Sequence, residues 1–437
     1  MFDTFRNAWK IPELRKKILF TLMILVIFRL GCAISVPYVN VDALELFRQL
    51  GGSGNMLDYL NMMSGGALSQ CAIFALSVSP YINASIIIQL LTVAIPALER
   101  LSKEGEEGRR KLTRITRYTG AGIGVAMSIG YYMVLRSWGV LTYNTGWQAV
   151  FSAVVIVLSF AAGSQLLTWM GEQIDDKGIG NGVSLLIFVG IISRWSSLIN
   201  SVKGLLAEAA DGKPQYYVFI PLIAILAIAA VVFVVILTNG ERRIPVQYAK
   251  RVVGRKMYGG QNSHIPIKVN MSGVLPIIFA STLAMIPTTI AQFFPNLYNA
   301  SVHPVWSAIL SAFSPSSWAY AVIYFVLIIA FNYFYVAIQY NPVEIANNLR
   351  NNSGTVPGYR PGKPTSDFIT KVLGKITFIG AMFLGIVAIF PIALTAITGM
   401  DIALGGTSLL IVVGVALDTS RSLESYMLMR HHKGFLE

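Results

Sequence analysis

The chain has 437 residues, of which 54% are hydrophobic and 13% charged, against about a quarter charged in a typical soluble domain. A soluble globular fold could not bury that much apolar surface, so the composition points to a bilayer, where each helical span takes about 20 apolar residues. The net charge of +13 would suggest a nucleic-acid partner in a soluble protein, but here the cations flank apolar runs, and the two cysteines, Cys32 and Cys71, give neither a disulfide framework nor metal-ligand spacing.

Arg6, Lys10, Arg15, Lys16 and Lys17 precede the first apolar run, 18–37. No small-residue cleavage site closes a short apolar core there, so the run reads as a retained first span and not a cleaved signal. Arg29 lies in its outer half, where a long side chain can snorkel to the interface. The next uncharged run, Tyr59 to Leu98, covers 40 residues, too long for one helix and too short for an ordinary pair. Its first part, NMMSGGALSQ at 61–70, carries Gly65 and Gly66, which weaken a helix. Residues 55–71 therefore read either as a re-entrant element buried in protein or as a surface loop, followed by a second span at 72–95.

Further spans are expected at 118–135, 148–171, 181–199, 216–239, 271–293, 318–340, 376–398 and 404–427. All are continuous apolar runs, whereas barrel strands alternate. The expected fold class is an all-α polytopic membrane protein with ten transmembrane helices. Gly120, Gly122 and Gly124 suit close helix packing; Gly178, Gly180 and Gly182 mark the turn into the fifth span. Two long loops interrupt the spans. In 241–270 the alternation from Arg243 to Tyr248 predicts a hairpin strand, with Gly254 and Gly259-Gly260 as turns. In 341–371 the Pro- and Gly-rich stretch 341–368 predicts a projecting loop without a helix. Both loops exceed what merely holding charge requires, and read as docking surfaces.

With both ends placed in the cytoplasm, 28 of the 34 Lys and Arg fall in inner segments and 5 in outer ones, with Arg29 inside a span. That asymmetry sets the orientation. Chemistry is sparse. His264, His303, His431 and His432 form no H-E-x-x-H pattern, Gly358 to Lys363 lacks Walker spacing, and no G-x-S-x-G elbow occurs. No cofactor or metal site is expected. Asp418, with Arg421 three residues on, is the one other charge deep in a span. This poverty of intramembrane charge disfavours an ion-driven secondary transporter of a small solute, the alternative reading, and suits a passive conduit fuelled by a partner.

Several motifs carry a resemblance across nearly the whole chain: PYINASIIIQLLT, GRRKLTRITRY, GIGNGVSLLIF, RRIPVQYAKR with GRKMYGGQNSHIPIKVNMSGVLPIIFAS, VPGYRPGKPT and GGTSLLIVVGVALD. In this order they resemble the SecY family, the channel subunits of the bacterial Sec protein translocase. The resemblance implies two pseudo-symmetric inverted halves, 1–200 with spans 1–5 and 201–437 with spans 6–10, opening around an hourglass pore. Residues 55–71 would then be a re-entrant plug helix, with Asn61, Ser64, Gly65, Gly66 and Leu68 in it.

It also implies a waist of apolar side chains at Ile82, Ile86, Ile191 (or Ile187), Ile278 (or Leu275) and Ile411. A lateral gate between spans 2–3 and 7–8 would carry Asn83, Ser85, Ile87, Gln89, Thr92, Ser281 and Thr282. For the polar members on the second span, helix-to-helix hydrogen bonding is the alternative. Arg242, Arg243, Lys250, Arg251, Arg255 and Lys256 would dock the ribosome, including its RNA, or the SecA ATPase, and Arg360 would serve SecA-driven export. SecE and SecG subunits, signal sequences, nascent polypeptides and membrane lipids complete the implied partners, at the bacterial inner membrane.

Overall fold

The computed structural model describes the chain except for residues 1–5, 7, 41–60, 62–63, 144, 194–198, 200–201, 205, 208, 210–215, 249–250, 254–255, 259–261, 294–303, 314–316, 399–405 and 434–437. In chain order the first helices are α1 (Pro12–Gly31), α2 (Ser79–Ala94), α3 (Pro96–Lys103), α4 (Glu106–Ser137), α5 (Gly146–Lys177), α6 (Gly182–Ser193) and α7 (Tyr216–Asn239). Strands β1 (Glu241–Tyr248), β2 (Arg251–Val253), β3 (Lys256–Tyr258) and β4 (Asn262–Lys268) follow. Then come α8 (Leu275–Phe293), α9 (Pro304–Ala312), α10 (Trp318–Gln339), α11 (Pro342–Asn351), β5 (Gly354–Thr355), α12 (Lys363–Thr398) and α13 (Gly406–Lys433).

Helices α1, α2, α4, α5, α6, α7, α8, α10, α12 and α13 overlie the ten expected spans. Among the described residues, Glu106–Ser137, Gly146–Lys177, Tyr216–Asn239, Trp318–Asn351 and Lys363–Phe390 are each long and apolar enough alone to cross a membrane. A sixth candidate joins α2 and α3, which meet at a bend of 101°. The cause is local: Ile95 precedes Pro96 and is extended, with φ −109°, because the proline ring pushes its predecessor out of the helical region. Helix α4 begins well before the expected span at 118. Its charged first turns stay helical with Glu106–Arg110 and Glu107–Lys111 pairs, which favour helix at this spacing. The bilayer dictates the apolar stretch, not where the helix starts.

Two groups of five spans show the same pattern of neighbours. In the first group α1 packs on α5 and α6, α2 on α4, α4 on α5, and α5 on α6. In the second, α7 packs on α12 and α13, α8 on α10, α10 on α12, and α12 on α13. Shifting each span by five maps one set onto the other; a small α2–α5 contact in the first group is the exception. The groups touch along two seams, α8 against α2 and α4, and α13 against α6. Buried polar contacts fix the start of α8: the Ser272 hydroxyl hydrogen-bonds the Asn332 amide oxygen on α10, and Asn332 Nδ2 donates to the Thr377 carbonyl on α12 at 3.1 Å. At the α7 end, Arg421 of α13 donates to the Thr238 carbonyl at 2.7 Å and to Asn239 at 2.8 Å. A cation there also suits the negative end of the helix dipole. Its Asp418 partner sits farther off, at 3.9 Å.

The loops correct one expectation. Stretch 341–368 holds a ten-residue helix, α11, because Asn341 accepts from the Val343 and Glu344 amides and Pro342 occupies the first helical position, a favoured helix start. The expected hairpin in 241–270 is present as β1 against β4, in register from Glu241↔Lys268 to Gln247↔Asn262. Strand β5 of the second loop adds to its other edge through Gln247↔Thr355 and Tyr248↔Gly354. The sheet order is β4-β1-β5. Ile244, Val246 and Ile267 face inward onto Leu349, Val356, Ile369 and Leu373, so the two loops form one platform on the extended start of α12. If so, Val246→Asp, which buries a charge in that shared core, exposes both loops to limited proteolysis together; new cleavage confined to 241–270 would contradict a single platform.

Candidate functional site

Five isoleucines from four helices meet in one buried apolar cluster: Ile82 and Ile86 of α2, Ile191 of α6, Ile278 of α8 and Ile411 of α13. Ile411 is 1% exposed, and Ile187 joins the same cluster equally buried, while Leu275 packs only at its edge. Ile82 and Ile86 are one helical turn apart and so share a face. The cluster is continuous through both groups, taking in Phe28 of α1, Leu167 of α5, Tyr324 of α10 and Leu384 of α12, and the five isoleucines lie on α2, α6, α8 and α13, the helices that with α4 make the seams between the groups.

A cavity of about 670 Å³ opens on the end of the molecule where α2 leads through α3 into α4 and α5 turns into α6. Ile82, Ile187, Ile278 and Phe279 belong both to its wall and to the buried cluster, so the cavity borders that cluster. Its upper wall is polar and charged, with Arg109, Arg117, Glu172, Asp175 and Asp176. Arg117 of α4 and Glu172 of α5 form a two-bond fork, Nε to Oε1 at 3.1 Å and Nη2 to Oε2 at 2.5 Å. Asp175 accepts from the Gly182 amide at 2.7 Å and so caps the start of α6, where exposed amides welcome an anion.

On the opposite side of the cluster lies the turn at 64–72. Of the expected element 55–71, residues 55–60, 62 and 63 lie outside the described residues; 64–71 runs in turns, with Gly65 at φ +67° and Gly66 at φ +91°. Glycine takes such angles at no steric cost. Asn61 and Ser64 are buried and hold the turn together: Asn61 Oδ1 accepts from the Ser69 amide at 2.9 Å, and Ser64 Oγ accepts from the Leu68 amide at 3.2 Å. Ala67 lies in the isoleucine cluster, while Leu68 faces a neighbouring one around Tyr131 and Phe160. Three helices donate to the turn's carbonyls. Arg29 Nη1 of α1 reaches Gly65 at 3.1 Å, Ser193 Oγ of α6 reaches the same oxygen at 3.4 Å, and Tyr131 OH of α4 reaches Leu68 at 2.9 Å. Arg29 is thus turned inward and does not snorkel. Neither Tyr131 nor Ser193 stood out in the sequence; the signal for Arg29 was that a charge within a span needs a partner.

The polar residues of α2 divide. Ser85, Gln89 and Thr92 line the cavity, with Thr92 also donating back to Ile88 at 2.7 Å. Asn83 faces α4 rather than α8, its Nδ2 3.9 Å from Met127 Sδ. Ile87 is 41% exposed. On α8, Ser281 is buried and donates to Ile278 at 2.9 Å, and Thr282 is half-buried. On the platform Arg242, Arg243 and Arg360 are exposed, with Arg243 paired to Glu241 at 2.6 Å. The Arg360 turn has Gly358 and Gly362 at positive φ and is pinned by Tyr359 stacked on Phe368 at 4.2 Å. Arg251 and Lys256 lie in the β2–β3 ribbon at the hairpin tip; Lys250 and Arg255 lie outside the described residues. Among the described residues no cluster of metal-ligating side chains occurs.

The family model described as SecY matches residues 72–420. The chain is 42% identical over 447 residues to the protein translocase subunit SecY of Streptomyces coelicolor, with 100% of each chain covered. It is 40% identical to that of Thermotoga maritima, covering 100% of this chain and 98% of that protein. Among solved structures, a protein conducting channel superposes with a TM-score of 0.65 at 17% identity, covering 96% of each chain. Sec61 from a canine ribosome-channel complex superposes at 0.62 with 16% identity, again over 96% of each. These two establish likeness of fold. Tyr131→Phe removes the donor to the buried Leu68 carbonyl, so it lowers stability by about 1–2 kcal/mol, read as a reduced thermal midpoint of the purified protein; an unchanged midpoint would show that the bond is idle.

Proposed function

The chain belongs to the SecY family, the protein-conducting channel subunits of Sec translocons, and we propose that Ile82, Ile86, Ile191, Ile278 and Ile411 are the waist through which unfolded polypeptide is threaded. It is a multi-pass membrane channel and not an enzyme. The observation that carries the waist assignment is that isoleucines from both groups of spans share one buried cluster, of which Ile82 and Ile278 also line the cavity.

The physics suits the task. A constriction of branched aliphatic side chains dewets and blocks ions. It also yields around any passing side chain, because dispersion contacts of about 0.1–0.2 kcal/mol per atom pair carry no sequence preference. The turn at 64–72, with the rest of 55–71, acts as a plug that adds a second seal. The halves 1–200 and 201–437 separate along the seam of α2 and α4 against α8. A signal sequence is an apolar helix and gains about 25 cal/mol per Å² on passing from water to lipid there. Ser85, Gln89, Thr92, Ser281 and Thr282 offer polar contacts along that seam while it parts.

The orientation follows the cations: both termini, the cavity and the platform face the cytoplasm of a bacterium, at its inner membrane. Arg242, Arg243, Lys250, Arg251, Arg255 and Lys256 dock ribosomal RNA phosphates in a salt-sensitive contact, and alternate with SecA, whose ATP hydrolysis supplies the work. Arg360, held on its rigid turn, serves SecA. SecE clamps the halves and SecG lies at the periphery.

Charged substitution at Ile82, Ile86 or Ile411 hydrates the constriction, so the resting complex leaks ions; unchanged conductance in reconstituted bilayers would remove the ring. Arg360→Glu stops SecA-driven export of a soluble precursor while insertion of membrane proteins persists; normal export by that variant would withdraw the role given to Arg360.

A further inference from the structure

The contacts around the 64–72 turn are unequal. Most are apolar or made within the turn itself. The Gly65 carbonyl is different, because it receives Arg29 Nη1 from the end of α1 at 3.1 Å and, more weakly, Ser193 Oγ from the end of α6 at 3.4 Å, whose one proton is shared with the Gly190 carbonyl at 2.7 Å. A hydrogen bond from a cation is worth roughly twice a neutral one. The site is also shaped for glycine. A Cβ on Gly65 would lie 2.8 Å from Arg29 Nη1, 2.9 Å from Gly190 Cα and 2.9 Å from Ser193 Oγ, and φ is +67°. The carbonyl reaches its two donors only because no side chain stands between. Beside it, Cys32 Sγ, next to the same helix end, contacts the Ser64 carbonyl at 3.7 Å and is buried under the turn.

We propose that Arg29, with Ser193 as a minor second donor, forms a latch on the Gly65 carbonyl that sets how readily the plug leaves its seat. The proposal rests on the channel reading above. Apolar contacts alone resist displacement weakly and without direction. A half-buried guanidinium with a fixed carbonyl partner holds one geometry, and its release leaves a part-buried carbonyl to find another donor. Both donors sit on helices of the first group of spans, so the latched plug belongs to that group. Toward the second group its Ala67 packs in the apolar cluster that also holds Ile278 and Ile411.

The complete translocon, reconstituted in planar bilayers and in permeabilised proteoliposomes, tests this with two readouts. Arg29→Gln should raise resting ion conductance roughly ten- to a hundred-fold, the ratio that loss of a charge-assisted bond implies. Arg29→Lys, which keeps a cationic donor, should stay within about three-fold of native. Ser193→Ala, which leaves no buried charge unpaired, should give a smaller rise in the same direction. In the second readout, a membrane-impermeant maleimide should modify Cys32 faster in Arg29→Gln, in step with conductance, while Cys71, which contacts the Tyr131 hydroxyl, stays unreactive. Native-like conductance and Cys32 labelling in both Arg29→Gln and Ser193→Ala would overturn the latch. So would equal leakage from Arg29→Lys and Arg29→Gln, since charge would then be irrelevant. Export of a precursor by the unaltered complex is scored in the same preparation; its failure would count against the channel reading, and its success beside silent variants would count against the latch alone.

Discussion

A barrier that must stop ions and still pass any side chain can be built from few materials. Polar groups would bind some cargo and refuse other cargo, and fixed charges would hold water open for ions. Branched aliphatic side chains do neither, because their attraction is short-ranged and indifferent to chemistry. The isoleucines gathered from α2, α6, α8 and α13 meet that specification. Their placement matters as much as their type: they lie on helices that make the seams between the two groups, so on the proposed reading a parting of the groups would widen the constriction without unfolding either one.

A second constraint comes from backbone polarity. Non-helical chain at membrane depth persists only when its amides and carbonyls are satisfied inside protein. The turn at 64–72 answers this with Asn61, Ser64 and Ser69 binding its own backbone and with Arg29, Ser193 and Tyr131 reaching in from three helices. On the far end the two long loops solve a different problem. Short strands alone are marginal, so β1, β4 and β5 share one sheet and one apolar core with α11 and the start of α12. The exposed arginines therefore ride on a platform continuous with a long helix, α12, and not on independent loops.

The spans were legible because lipid demands uninterrupted apolar length, and the ten runs stand out without reference to tertiary contacts. The charged starts of α4 and α12 were not, since the apolar signal ends before the helix does. Helix α11 was written in Asn341-Pro342, a cap and a first-turn proline, but the surrounding glycines and prolines masked it. Strand β5 is two residues long and exists only because β1, more than a hundred residues earlier, offers an edge. Of the site, the isoleucines could be named from motif positions, while their convergence needed coordinates. Arg29 and Asn83 show the limit of reading one helix at a time: the first turns inward to a glycine carbonyl and the second toward Met127, because their partners come from elsewhere in the chain.

Contact between cargo and the isoleucines is the most direct test. With single cysteines at Ile82 and at Ile411, a secretory chain stalled in mid-passage and carrying a cysteine-reactive probe along its length should crosslink to both positions whatever residue faces them. Crosslinks to lipid alone, or none to either position while passage is under way, would contradict an apolar waist that the polypeptide crosses.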